Sequence, residues 1–221
     1  MKFDRFDSLL ACVSLFAVVT LAYLPRTVFG QSSSEISGFV LVNCIDSEKP
    51  IGASFSGKQV LSERGLGSGR ATSGLGVPAG SGVLEVIHPE FGSAELPLEI
   101  SKGSTPIVVA FLERDAKNPA KEPKLALGQV KSNPSKVASF SLLYAADSGV
   151  PAFGGAVNGK AVQLQPWRTQ KIEGGSLKLE SSGQEIFSVT QEQPEAWYVF
   201  LAPKKDKEFL AVGVPQIIYE W

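Results

Sequence analysis

The stretch Gly74–Ala79 reads GLGVPA and fits the G-x-G-x-x-A spacing by which some folds cradle a phosphate at the start of a helix. It sits inside GLGSGRATSGLGVPAGSG, Gly65–Gly82, where seven residues are glycine and such a match is easily met by chance. A dinucleotide site needs a strand before the glycines and a helix after them, so that the helix amides face the pyrophosphate. Here the following residues are GVLEVIHP, an alternating, β-branched run that reads as a strand. Pro78 also removes an amide that could have bound phosphate, and no lysine followed by Ser or Thr completes a Walker loop. The run is therefore expected to be a loop and a turn into the next strand, with no bound cofactor.

Other chemistry-bearing residues are few. His88 is the only histidine, which excludes a histidine-rich zinc site, so no metal is expected. A Ser/His/Asp triad would have to be built on it, and its place beside Pro89 in IHPEF reads as a solvated turn at a strand end. Glu85, Glu95 and Glu99 alternate with apolar partners and read as the solvent face of strands, so no catalytic residue is assigned. Trp167, in QPWRTQ, is the candidate for stacking on a ligand such as a sugar; the alternative is that it covers the end of a core. Trp221, with Tyr219 and Ile217, reads as a last sandwich strand, because the chain lacks the many long lipid-facing strands of an outer-membrane barrel.

The elements that must position these residues begin after an export signal. MKFDRFDS is a short charged start, and Leu9–Leu24 is an uncharged run shorter than the ~20 apolar residues that span a bilayer. Residues 1–30 read as a signal peptide, with cleavage before Gln31; membrane contact is expected only through this segment if it stays uncleaved. In LLAC the apolar run follows Cys12 rather than preceding it, the reverse of a lipoprotein signal. The chain's 21 basic and 22 acidic residues lose three and two to this segment, so the mature charge is near −2 and offers no basic footprint for nucleic acid. Cys44 is the one cysteine left, so no intrachain disulfide supports the fold and apolar cores must do so alone.

Beyond residue 30 the chain shows short runs rich in Val, Ile, Leu and Phe, separated by Gly, Pro, Ser and Asn, the pattern of an all-β sandwich. SGFVLVNC, GVLEVIHP, AELPLEI, TPIVVAFLER and KLALGQV are the strands expected in the first half, with Pro97 marking AELPLEI as an edge strand. The second half repeats these landmarks in order. Phe39 aligns with Phe140, SGK at Ser56 with NGK at Asn158, Leu84 and Val86 with Leu177 and Leu179, PIVVAFLER with AWYVFLAPK, and LALG with LAVG. The expected fold is two tandem immunoglobulin-like β-sandwich domains after the signal peptide, at residues 36–130 and 137–221. KSNPSK, residues 131–136, is the linker.

FSGKQV at Phe55, VPAGSGVLEV at Val77 and LPLEISKGSTPIVV at Leu96 resemble the small repeated β-sandwich modules of bacterial envelope proteins, such as the PEGA module and similar immunoglobulin-like repeats. The likeness covers most of the first half; AVNGKAV and EGGSLKLE carry what remains of it in the second. It implies a non-catalytic exported scaffold or interaction module, periplasmic, on the outer surface or secreted. A protein or envelope component is the expected partner; a carbohydrate-binding module that takes a glycan is the alternative, and a small envelope hydrolase the third reading. In IVVAFL and WYVFLA both alternating sets are apolar, so one face lines a core and the other needs a cover. Val108, Leu112, Tyr198 and Phe200 are the candidate interface residues on that second face.

Overall fold

The computed structural model describes residues 36–114, 118, 121–131, 137–191, 195–204 and 208–215. The expected signal peptide, Cys12, residues 132–136 of the linker, and Ile217, Tyr219 and Trp221 lie outside the described residues. The described chain is all-β, without a helix. Its first half contains β1 (Ile36–Asn43), β2 (Gly52–Phe55), β3 (Lys58–Gln59), β4 (Arg70–Ala71), β5 (Leu75–Pro78), β6 (Gly80–His88), β7 (Gly92–Ile100), β8 (Ile107–Glu113) and β9 (Lys124–Val130). Its second contains β10 (Ser139–Tyr144), β11 (Phe153–Val157), β12 (Lys160–Leu164), β13 (Thr169–Glu173), β14 (Ser176–Ser181), β15 (Gln184–Thr190), β16 (Ala196–Pro203) and β17 (Phe209–Pro215).

Alternation decides where each strand lies. In β6, Leu84, Val86 and His88 are buried while Val83 and Ile87 are exposed, as a period of two requires. β8 is buried on both faces from Ile107 to Phe111, the mark of a strand inside a sheet that is itself covered on both sides. Each half accordingly builds one inner and one outer sheet. The inner sheet of the first half runs β4-β1-β8-β9, with β5 also on β1, and its outer sheet runs β3-β2-β6-β7. The second half gives β13-β10-β16-β17 and β12-β11-β14-β15. Apart from β5, which has no counterpart among the described strands, the two orders correspond, including the parallel pairs β1/β8 and β10/β16.

Three apolar layers hold the four sheets. One layer fills the first half, around Phe39, Leu41, Leu84, Val86 and Val108; another fills the second, around Phe140, Leu142, Leu179, Val199 and Leu201. The third lies between the inner sheets and draws on both halves. Pro97 sits in β7, at the edge of its sheet, where its missing amide costs no ladder bond.

Two details differ from the sequence reading. The glycine-rich run is more than a loop: β4 and β5 both pair with β1, and a Cβ at Gly38 would stand 2.7 Å from the Leu75 carbonyl oxygen, so glycine admits that approach. The correspondence between halves is also shifted. Cys44 N–H donates to Ala110 O at 2.9 Å and Ala145 N–H to Leu201 O at 2.7 Å, which matches β1 with β10 as expected but sets Ala110 against Leu201 rather than Phe200. Ile107 thus answers to Tyr198 and Val109 to Phe200. A slip of one residue turns every side chain to the other face. In β6 and β14 the shift is two residues, since Ser56 N–H bonds Val83 O and Asn158 N–H bonds Lys178 O, and the inward face is kept.

Candidate interface between the two halves

The layer between the inner sheets is where aromatic side chains gather. β16 sends Tyr198, Phe200 and Ala202 into it and Val199 and Leu201 away from it. From the facing sheet come Val42, Cys44, Ile107, Val109 and Phe111. Phe200 is fully buried and Tyr198 is 5% exposed, their rings stacked with centroids 6.0 Å apart. The Tyr198 hydroxyl donates to the Lys131 carbonyl at 3.1 Å, so the polar end of a buried ring ties the end of the first half to the second.

Val108 and Leu112 belong elsewhere. Val108 lies with Ala110 in the core of the first half and Leu112 packs against that core, a direct consequence of the one-residue shift. The residues of β8 that meet Tyr198 and Phe200 are Ile107, Val109 and Phe111. Five consecutive apolar residues carry no polar mark of which set faces inward, so spacing alone could not choose.

Trp167 is half-buried and is not an open platform. Its ring meets Phe111 edge-on at 4.9 Å, and a Cβ at Gly128 would overlap it. Its backbone is left-handed, with φ of 57°, a conformation that costs a bulky residue strain. The first half shows what stands there by default. Gly69 N–H bonds Asn43 O at 3.0 Å just as Trp167 N–H bonds Tyr144 O at 3.0 Å, and Gly69 has φ of 67°. Tryptophan thus occupies a glycine position, where its ring fills the groove left by Gly128 on the other half. Cys44, in the same layer, is 2% exposed, and burial pushes its thiol far up from the usual range, so it packs as an unreactive apolar group.

The remaining chemistry-bearing residues are spread over other surfaces. Glu85 and Glu95 face each other across β6 and β7, with Ser54 Oγ donating to Glu85 at 3.2 Å; Glu95 and Glu99 are exposed. His88 is not a solvated turn residue but 1% exposed, on the inward face of β6. Near it Ser47 Oγ donates to Glu90 at 3.3 Å and Lys49 pairs with Glu90 at 3.3 Å, so the Ser47 hydroxyl is spent on a carboxylate. The Lys49 bond holds the Glu90 carboxyl below its ordinary range. Among the described residues no three His, Cys, Asp or Glu side chains could share a metal ion, and no helix is long and apolar enough to cross a membrane. Two open clefts, of about 310 and 520 Å³, are lined by mixed charges around Glu113 and Lys124 and by Glu99, Ser104 and Gln129.

No known family model matches the chain, and no curated protein is detectably similar to it.

Proposed function

We propose that this chain is an exported, non-catalytic structural or interaction protein of the bacterial envelope or exterior, made of two tandem immunoglobulin-like sandwiches that arose by duplication. The observation that carries this reading is the apolar layer between two inner sheets whose four-strand paths correspond. It supports reading the halves as two packed sandwiches, a form suited to spacing or presenting surfaces. Duplication explains why equivalent strands meet there, since each copy brings the same apolar face. The side chains that could do chemistry are scattered rather than convergent. The carbohydrate-binding alternative loses support because the Trp167 ring packs against Phe111.

Intact mass of the protein recovered from the envelope or medium tests the export part. A mature chain beginning at Gln31 is expected, and a species retaining Leu9–Leu24 makes the segment an anchor. Cross-linking in the envelope, run beside esterase, peptidase and glycosidase assays, tests the rest. A cross-linked envelope partner without turnover supports the reading; turnover lost on changing His88 or one of the glutamates replaces it with a hydrolase.

A further inference from the structure

The tip joining β6 to β7 is built around the sole histidine. His88 pairs with Gly92 across the hairpin, Pro89, Glu90 and Phe91 form the turn, and Gly92 has φ of 78°. His88 Nδ1 accepts the Glu90 backbone N–H at 3.0 Å, so in this state Nδ1 is bare and the ring proton is on Nε2. Nε2 is buried with no partner, and the ring lies 4.6 Å from that of Phe91. The Phe91 carbonyl accepts the Leu125 N–H at 3.4 Å, which fastens the tip to β9 of the inner sheet.

An Asn or Asp side chain would make the same bond to the amide two residues on, and is the ordinary choice for such a turn. The acceptor here is instead a group that titrates between pH 5 and 8, buried to 1% exposure, with a nitrogen left unsatisfied. We propose that His88 is a proton-sensitive latch: a second ring proton, added at Nδ1, ends its bond to the Glu90 amide and releases the β6–β7 tip from β9. The added proton would point at another N–H, so the bond is replaced by a clash of two donors. The charged groups facing it are Glu90, on the tip itself, and Lys49, from the β1–β2 connection. Their charges oppose one another at the ring, and the Glu90 carboxylate is already engaged by Lys49 and Ser47.

Burial lowers the tendency of His88 to ionise, although the Lys49 backbone and the Glu90 charge pull the other way. The unfolded chain therefore takes up its proton near the ordinary value of ~6.5, and the folded chain only at lower pH. Stability from His88 is fully present above that value and is lost as pH falls through the folded value.

The full chain carries one histidine, so its imidazole gives one NMR titration, followed beside amide exchange at Glu90 and Leu125. The ring should titrate below ~6.5, and protection at both amides, corrected for intrinsic exchange, should fall by up to about tenfold per pH unit between ~6.5 and that lower midpoint and level off beneath it. The His88→Asn variant keeps an acceptor that does not titrate and should hold both amides protected across the range. If burying an amide unfolds that variant, the wild-type amides alone decide. Protection that stays flat while the ring titrates, or a ring that titrates at or above ~6.5 with the tip intact, makes His88 a purely structural residue and overturns the latch.

Discussion

Trp167 and Gly128 form a matched pair, because each explains an oddity of the other. A tryptophan held at a φ of 57° needs compensation, and a glycine inside β9 needs a reason for its missing side chain. Their contact supplies both. Gly128→Ala places a methyl where the indole ring lies, and a loss of about 1–3 kcal/mol is expected from the overpacking, read as a lower urea midpoint at unchanged slope. Trp167→Gly relieves the backbone but empties the groove beside Phe111, so it should also destabilise, by about 2 kcal/mol. Combined, the two changes should cost less than their sum, since the methyl no longer meets a ring; strict additivity would deny the contact.

The two hairpin turns at equivalent places differ in how well they fit their backbone. Asn158 and Gly159 have φ of 49° and 76°, and Ser56 and Gly57 have 48° and 78°. Asparagine tolerates the left-handed region, and its side chain here accepts the Lys178 N–H at 2.8 Å and donates to Ser176 O at 3.1 Å. Asn158→Ala should therefore cost about 1–2 kcal/mol, while Ser56→Asn should leave stability unchanged or raise it by about 0.5 kcal/mol, both checked by thermal midpoint. These turns were legible in the sequence, as were the long strands, because NGK and SGK punctuate runs of clear alternation; β4 and β5, inside the glycine-rich run, were not. The edge place of β7 was legible too, since Pro97 forbids a central one. The inward face of β8 was not. Ile107–Phe111 is apolar throughout, so nothing within it marks the register between the copies, and a single residue of misalignment is enough to exchange Val108 for Val109 at the interface. His88 was misplaced for a related reason: Pro89 signals a turn, but only the strand register shows that the residue before it points inward.

The molecule as a whole is divided by one layer, and the division can be tested. Phe200 is fully buried between the inner sheets and Tyr198 nearly so, whereas Val199 and Leu201 on the same strand serve the core of the second half. Changing Tyr198 and Phe200 together to Ser therefore removes the middle layer's main rings and leaves the alternate set untouched. Truncating buried aromatics costs about 3–5 kcal/mol each, and the tie from the Tyr198 hydroxyl to Lys131 is lost as well. That loss falls on docking, because each sandwich retains its own apolar layer. Cys44 is a reporter already in place: it lies in the middle layer, its thiol is buried, and with Cys12 replaced by Ser it is the only cysteine in the chain. The wild type should resist a thiol reagent until it unfolds, as a single transition. The double variant should keep its β-sheet circular dichroism, label Cys44 at least about tenfold faster, and unfold in two steps, since a docking loss above about 1.4 kcal/mol shifts that equilibrium tenfold. If the second half unfolds outright while the first is untouched, or if Cys44 stays silent in a folded variant, the rings support one sandwich alone and the halves are held together by something other than this layer.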